Sequence, residues 1–416
     1  PFPVLMRASF GTVGANIPAM ARALVACGWF GIQTWIGGMA IYEVLGALHW
    51  IDAAADVKSH MLVVGVTPWQ FACFMLFWLI NAHFIWHGMG SIKWMEAWSA
   101  PFLIACGLAL LGWALARVDS VSALFARGSN FGPGTSFWRV FVPELTAMVG
   151  FWATLSLNIP DFTRYARSQR AQALGQAIGL PPTMTLFCFI GIIVTSATMG
   201  IFGKEIADPV ELVGRLGQPV VIIVSLIALS VATLSTNIAA NVVSPANDIA
   251  NLSPRRISFR MGGMITAAIG IVMMPWLLIN NLSAYIFTWL IGYSALLGPI
   301  AGIMLCDYYI IRRARLDVDA LYDERGEYSY GGAGINWRAV LALVIAVAPN
   351  LPGFINAAAN RTHAQARLDP AVHPIFPEVF DTLYGYAWFL GLAIAVVVYG
   401  LLTAMFPPRR ASTARA

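Results

Sequence analysis

The strongest constraint on this chain is a series of apolar segments, each long enough to cross a lipid bilayer. The hydrocarbon core of a bilayer is about 30 Å thick, so a spanning helix needs about 20 mainly apolar residues. Ten segments meet this requirement, at 18–48, 68–88, 97–117, 139–160, 178–203, 219–243, 261–280, 284–306, 337–357 and 384–406. The sequence therefore predicts an all-α integral membrane protein in which residues 1–416 form a single membrane domain.

The composition supports this prediction and argues against other classes of protein. Hydrophobic residues make up 59% of the chain and charged residues 11%, whereas soluble domains have about 25% charged residues. The five cysteines form no CxxC pair, so neither a disulfide framework nor a zinc site is indicated. His83 and His87 lie one turn apart without an acidic or cysteine companion, which argues against a metal site there. The net charge of +5 fits arginines at a membrane surface and does not indicate nucleic-acid binding.

The distribution of Lys and Arg predicts the orientation of the segments, since cytoplasmic connections carry an excess of positive charge. With the start of the chain in the cytoplasm, sixteen of these residues fall on the inner side and eight on the outer side. This orientation makes the lead-in 1–17, the loop 307–336 and the tail 407–416 cytoplasmic parts of a multi-pass protein of the cell membrane (plasma or inner).

The sixth segment carries an unusual concentration of polar side chains for a membrane span. At about 100° per residue, Ala232, Ser235 and Thr236 share one sector of the helix, while Asn237 and Asn241 share another. One interpretation is that the first sector offers hydroxyl and carbonyl oxygens to a small cation and the second offers an amide to a polar solute. The alternative is that these side chains hydrogen-bond to neighbouring helices, as Ser, Thr and Asn commonly do in membranes. The pattern by itself leaves both interpretations open.

The first segment contains a second candidate site. Trp29 and Gln33 are one turn apart on the same helix face. An indole beside an amide suits a flat heterocycle, because the ring stacks on the indole while the amide hydrogen-bonds to its edge. The alternative is that Trp29 is a packing aromatic and that Gln33 bonds to a neighbouring helix.

The acidic residues near the segments are predicted to be solvated. Asp161 and Arg164 lie at the inner end of the fourth segment, where a snorkelling interfacial pair is favoured over direct contact with a solute, and a gate contact is the alternative. Asp307 falls near the end of the eighth segment, where solvation is again expected.

Several motifs, in matching order and spacing, resemble the nucleobase:cation symporter-1 family. The resemblance extends from the first residue to about Arg313 and, more loosely, through the last two segments. The motifs are 2–11 (FPVLMRASFG), 14–18 (GANIP), 28–38 (GWFGIQTWIGG), 158–165 (NIPDFTRY) and 297–302 (LGPIAG) with the pair Asp307-Tyr308.

The resemblance implies a leucine-transporter-like fold, in which two inverted five-helix repeats surround a midplane site and two further helices follow. Full-length members of the family have twelve spans, and the FPV run normally follows the second. The resemblance therefore implies that this chain is an N-terminally truncated member whose ten spans correspond to family helices 3 to 12.

The resemblance also assigns roles to residues that bind the solute. Trp29 resembles the stacking indole of the family's third helix, and Gln33 resembles its amide partner. Trp152 resembles the second aromatic of the sixth helix, with the neighbouring Phe151 as the alternative for that position. Asn241 matches the amide of the eighth helix that binds the solute.

A cation site is implied by the same helix. Ala232, through its carbonyl group, and Ser235 and Thr236, through their hydroxyl groups, match the family's sodium ligands. Hard oxygen ligands of this kind suit Na⁺. The expected coupling ion is therefore Na⁺, and no acidic residue is placed in the middle of a span to favour H⁺ instead.

The resulting functional hypothesis is a symporter that imports a planar heterocycle by alternating access, with the ring between Trp29 and Trp152. The motif at 28–38 is closer to members that carry allantoin, hydantoin or uracil than to those that carry cytosine. The alternative within the family is a proton-coupled purine or cytosine permease. A channel and a membrane-embedded enzyme are disfavoured, since no ring of like residues and no nucleophile–base pair is found. The expected partners are the solute, Na⁺ or H⁺ and the lipid bilayer, without an organic cofactor.

Overall fold

The computed structural model describes residues 1–52, 55–56, 65–118, 120–125, 136–215, 219–279, 288–369 and 371–408, and the regular structure in these ranges is helical. Short helical turns at Phe2–Leu5 and Arg7–Phe10 lie in the predicted lead-in, and a π-helix at Cys306–Ile311 opens the predicted loop 307–336. The longer helices are α1 (Asn16–Ala47), α2 (Pro68–His87), α3 (Met89–Arg117), α4 (Phe137–Thr163), α5 (Gln169–Phe202), α6 (Pro219–Asn241), α7 (Val243–Leu252), α8 (Phe259–Val272), α9 (Ile291–Leu305), α10 (Trp337–Val347), α11 (Leu351–Ala358), α12 (Glu378–Gly385) and α13 (Ala387–Met405).

Nine helical stretches of the described residues are long and apolar enough to cross a membrane. They correspond to nine of the ten predicted segments, which confirms an all-helical, multi-pass membrane protein. Several extend beyond their predicted ends; the sixth, for example, continues through α7. The nine stretches are Asn16–Ala47, Pro68–His87, Ala97–Arg117, Phe137–Thr163, Gln169–Phe202, Val220–Leu252, Thr288–Ile311, Trp337–Ala358 and Ala387–Met405.

The predicted seventh segment, 261–280, differs from the structure. Its helix, α8, has only 14 residues and ends at Val272. Met274 then adopts a left-handed conformation with φ of 45°, and a short helix starts at Pro275. Proline cannot donate to a helical hydrogen bond and disfavours a helical conformation in the residue before it, so the chain breaks here. An apolar count does not detect this break, and residues 280–287 lie outside the described part of the chain.

The chain forms two compact units, which are described separately. The first comprises Pro1–Gly28, Thr135–Arg164 and Val243–Ala416, and the second comprises Trp29–Gly134 and Tyr165–Val242.

In the first unit, glycines bring α9 and α13 into backbone contact. A Cβ atom at Gly298 would lie 2.7 Å from the carbonyl oxygen of Trp388, and one at Gly302 would lie 2.5 Å from that of Leu392. Both distances are far below van der Waals contact. Small residues therefore allow these two helices to approach until their backbones touch, as is typical of packing between membrane helices.

The first unit also contains charged groups buried within its helices. The guanidinium group of Arg22, on α1, pairs with the carboxylate of Asp248, on α7, and both side chains are fully buried. The guanidinium group also lies over the ring of Phe2, 5.0 Å from its centroid. Removing two charges from water is costly, and their mutual attraction offsets that cost only while both partners are present.

The predicted interfacial position of Asp161 is wrong. Its side chain is fully buried and accepts hydrogen bonds from the backbone N–H of Phe2 at 3.1 Å, from Ser244 at 2.9 Å and from Asn247 at 3.3 Å. Arg164, its predicted companion, is exposed. Donors from distant parts of the chain replace water around this carboxylate, so it is stable in the interior.

The predicted solvation of Asp307 is wrong for the same reason. This carboxylate is buried, and it accepts hydrogen bonds from Tyr399 at 2.8 Å and from Nε of Arg312 at 2.7 Å. Burial by itself lowers the pKa of Arg312, but Asp307, Tyr330 and Glu327 together raise it by more, so the net pKa lies above its ordinary value. Arg312 also pairs with Glu327 at 2.7 Å, which joins two parts of the predicted loop 307–336.

In the second unit, α1 and α2 are held together by a similar close approach. A Cβ atom at Gly38 would lie 2.7 Å from the Cα atom of Phe74. At Gly37 it would lie 2.2 Å from the ring of Phe77. This contact fixes the separation of the two helices near the polar side chains described below.

We predict that Gly298→Ala destabilises the protein by about 1–3 kcal/mol, because the added methyl group would meet backbone rather than a flexible side chain. Thermal unfolding of the purified protein in detergent measures the effect. Gly191→Ala on α5 is the matched control, since the added carbon would have no heavy atom of the described residues within 4 Å apart from its own turns of helix. Equal melting temperatures for the two variants would contradict the proposed backbone contact.

We also predict that Arg22→Met destabilises the protein by about 3–5 kcal/mol, because it leaves the carboxylate of Asp248 buried without its partner. The double variant Arg22→Met/Asp248→Leu removes both charges and should recover a large part of this loss. The same unfolding assay compares the two. A double variant no more stable than the single one would show that the ion pair is not the source of the cost.

Candidate functional site

The candidate site is built around a fully buried amide on α6. Nδ2 of Asn237 donates to Oγ1 of Thr34 on α1 and to Oδ1 of Asn81 on α2, both at 3.1 Å. It also lies 3.3 Å from the backbone carbonyl oxygen of Phe30. One side chain thus joins three helices of the second unit, where unpaired amide groups would be costly in the absence of water.

Asn241 continues this arrangement one turn further along α6. It is only 4% exposed, and its Nδ2 donates to Oδ1 of Asn237 at 3.1 Å. At the other end, Nδ2 of Asn81 donates to the carbonyl oxygen of Phe77 at 2.8 Å. We call Asn81, Asn237 and Asn241 the amide chain. The structure thus supports the interpretation that Asn237 hydrogen-bonds between helices. Asn241 is the last residue of the amide chain.

Trp29 and Gln33 lie on α1 beside the residues that hold Asn237. Trp29 is 5% exposed and Gln33 is partly exposed. Their sequence neighbours Phe30 and Thr34 both contact Asn237, so this turn of α1 is fixed against α6. Trp29 and Gln33 on α1 and Asn241 on α6 therefore lie on two helices that are hydrogen-bonded to each other through Asn237.

Phe151 and Trp152 lie on α4, in the first unit, and both are partly buried. Their rings are in edge contact, with centroids 5.5 Å apart and an angle of 68° between the planes. The choice between them as an aromatic partner of the solute stays a prediction.

The predicted cation ligands occupy successive turns of α6. Ser235 is buried, Ala232 is partly exposed and Thr236 is exposed. In the described part of the chain, no group of three or more His, Cys, Asp or Glu residues could hold a metal ion. A site made of hydroxyl and carbonyl oxygens does not require such a group, so the role of these residues stays a prediction.

His83 and His87 lie against each other on one face of α2, with ring centroids 4.1 Å apart and an angle of 39° between the rings. Nδ1 of His87 lies 2.8 Å from the carbonyl oxygen of His83, which is a bond within the helix. This contact gives no support to metal binding.

Asn81 and Thr34 contact Asn237 although the sequence pattern did not single them out. Asn81 is a lone amide in the middle of an apolar segment, and this isolation is a usable signal because an intramembrane amide needs a partner. Thr34 lies inside the motif at 28–38 but gives no such signal, since its hydroxyl also bonds to the carbonyl oxygen of Phe30 at 2.6 Å. Asp248 was not singled out either, although it follows an apolar helix.

Residues 1–391 match a family described as "Permease for cytosine/purines, uracil, thiamine, allantoin". The purine-uracil permease NCS1 of Arabidopsis thaliana is 43% identical over 414 residues, which cover 99% of this chain and 66% of the relative. The allantoin permease of Bacillus subtilis is 38% identical over 409 residues, covering 98% of this chain and 78% of the relative. The chain thus spans slightly less than two thirds of the Arabidopsis protein.

Solved structures agree with these sequence similarities. The inward-facing conformation of Mhp1 matches with a TM-score of 0.70 and 27% identity, covering 98% of this chain and 78% of that one. A second match, with a TM-score of 0.69 and 26% identity, is Mhp1 in a closed conformation with bromovinylhydantoin bound; it covers 98% of this chain and 80% of that one. Mhp1 is a nucleobase-cation-symport-1 family transporter, and the match confirms the fold and family that the motifs predict.

Proposed function

This chain belongs to the family of permeases for cytosine and purines, uracil, thiamine and allantoin, and from that membership we propose that it imports a planar heterocycle of the allantoin, hydantoin or uracil class. The family consists of permeases rather than enzymes. The similar proteins include permeases named for allantoin, uracil and hydantoin. These rings share a flat shape and an edge of alternating N–H and C=O groups.

The amide chain is the observation that carries this proposal. Asn241 lies at its end and is held in place by Asn237, which is itself fixed to α1 and α2. A preorganised amide loses little conformational freedom when a solute binds, so more of the hydrogen-bond energy contributes to affinity. Trp29 and Gln33 supply a stacking surface and a second amide on the adjacent helix α1. Trp152, or Phe151 in its place, is proposed as a further aromatic contact.

We propose Na⁺ as the coupling ion, bound by the carbonyl group of Ala232 and the hydroxyl groups of Ser235 and Thr236. The buried position of Ser235 favours this role, because a hydroxyl shielded from bulk water can replace part of the hydration shell of an ion.

Proton coupling is the second candidate, and one observation favours it. Asp161 and Asp248 are fully buried carboxylates within stretches that can span the membrane. These buried carboxylates are the kind of residue that the sequence pattern did not place in the middle of a span. Ionisable groups inside a membrane commonly belong to proton pathways.

We propose that the protein lies in the cell membrane with the residues at both ends of the described chain on the cytoplasmic side. The excess of Lys and Arg in the corresponding connections supports this orientation.

Uptake of radiolabelled allantoin, hydantoin, uracil and adenine tests the solute class. Asn241→Ala and Gln33→Ala should each weaken the apparent affinity by about 10- to 100-fold, because a solute group loses its hydrogen-bond partner in a dry site. Gln176→Ala, an exposed amide on α5, is the matched control and should leave uptake unchanged. Uptake that is insensitive to both site substitutions would contradict the proposed solute site.

Imposed gradients distinguish the two coupling ions. Under Na⁺ coupling, uptake requires Na⁺, and Ser235→Ala raises the Na⁺ concentration needed for half-maximal uptake. Under H⁺ coupling, uptake follows an inward pH gradient without Na⁺, and Asp248→Asn removes that dependence. The second result would reject the cation role of Ser235 and Thr236 while leaving the solute site intact.

A further inference from the structure

The hydrogen bonds of the amide chain have a direction, and the direction is set at one end. The backbone carbonyl group of Phe77 can only accept a hydrogen bond. Asn81 must therefore turn its Nδ2 towards Phe77, where it lies 2.8 Å from the carbonyl oxygen. Because Nδ2 and Oδ1 branch from the same carbon, this orientation leaves Oδ1 of Asn81 to accept from Asn237.

Asn237 is held in one orientation by three acceptors. Oδ1 of Asn81 accepts from its Nδ2 for the reason just given. The carbonyl oxygen of Phe30 can only accept a hydrogen bond. The hydroxyl group of Thr34 donates its hydrogen to that same carbonyl oxygen at 2.6 Å, so Oγ1 of Thr34 accepts from Asn237. If the amide of Asn237 were turned over, its Oδ1 would face the oxygens of Phe30 and Asn81, neither of which can supply a hydrogen.

The orientation of Asn237 in turn fixes the orientation of Asn241. With Nδ2 of Asn237 fully engaged, Oδ1 of Asn237 is the atom that faces α6 one turn further on, and it accepts from Nδ2 of Asn241 at 3.1 Å. Fixing Nδ2 of Asn241 against Asn237 turns its Oδ1 away from the amide chain. Asn241 thus turns its carbonyl oxygen to the side away from Asn237, while one hydrogen of its Nδ2 stays bonded to Oδ1 of Asn237.

We propose that Thr34, Asn81 and Asn237 are positioning residues that set the polarity of Asn241, so that the solute edge bound there must carry a ring N–H. This proposal rests on the proposed function, in which Asn241 contacts the solute. Imide and ureide rings such as hydantoin, allantoin and uracil provide an N–H group at such an edge. A ring that offers an oxygen or an unprotonated nitrogen there would place two acceptors against each other, and it is rejected for that reason.

The test is a double-mutant cycle in which protein variants are combined with analogues of the solute, with hydantoin as the reference solute. Two analogues each lack one ring N–H: in one, oxygen replaces N1–H, and in the other, methylene replaces N3–H. Competition with hydantoin uptake gives the affinity penalty of each analogue relative to hydantoin. If the affinity penalty of one analogue largely disappears in Asn241→Ala, the N–H group missing from that analogue is the one that Asn241 contacts.

Asn237→Leu then tests the positioning role. It removes the acceptor that fixes Nδ2 of Asn241, so the amide can turn and donate instead. We expect the penalty identified above to fall at least tenfold in this variant, towards the value in Asn241→Ala. A purely structural defect would weaken binding of hydantoin and its analogues equally and leave the penalty unchanged, and that result would overturn the proposal.

Thr34 provides a milder pair of variants that preserve the shape of the buried site. Thr34→Val removes the hydroxyl acceptor and should lower the same penalty by about threefold, whereas Thr34→Ser keeps the hydroxyl and should retain the wild-type penalty. Equal penalties in the two variants would count against the positioning role.

Two further outcomes separate this proposal from the proposed function. If Asn241→Ala weakens hydantoin binding but reduces neither penalty, Asn241 contacts a solute carbonyl group, and the proposed polarity is wrong. If Asn241→Ala leaves hydantoin binding unchanged, Asn241 is not in the solute site, and both the proposed site and its polarity are rejected.

Discussion

The second unit depends on the requirement that an amide inside a membrane find its partners within the protein. Asn237 meets this requirement with groups on α1 and α2, more than 150 residues away along the chain. Because a lost partner would leave a polar group in hydrocarbon, the three helices cannot separate at this level without a large cost. The position of the proposed solute site is therefore a consequence of helix packing, and the bonds that hold the helices together also orient the residue at its edge.

The same requirement explains which parts of the structure could be predicted. Apolar length is a local property, so the spanning stretches follow from the sequence, and among the described residues the break at Met274–Pro275 shortened one of them. The partners of a polar side chain are not local. Asp307 lies 92 residues from Tyr399, and nothing near it in sequence indicates that this tyrosine replaces part of its water.

For the candidate site, helical periodicity was sufficient to group Asn237 with Asn241 but could not distinguish their roles. Asn237 bonds between helices, and the distinction depends on Thr34 and Asn81, which no pattern on α6 reveals. The family resemblance supplied candidate roles for Trp29, Gln33 and Asn241, since a family pattern preserves information about tertiary contacts that composition lacks. It did not supply the direction of the hydrogen bonds, which follows only from atoms placed together by folding.

The glycine contacts between α9 and α13 have a mechanical consequence. With Gly298 and Gly302 seated on the backbone of the partner helix, any sliding of α13 by one residue would press a side chain onto a main-chain carbonyl group. The contact therefore resists sliding of one helix along the other, and we expect α9 and α13 to move together as a rigid pair. The left-handed residue Met274 before Pro275 is a bend of the first unit that lies outside this pair.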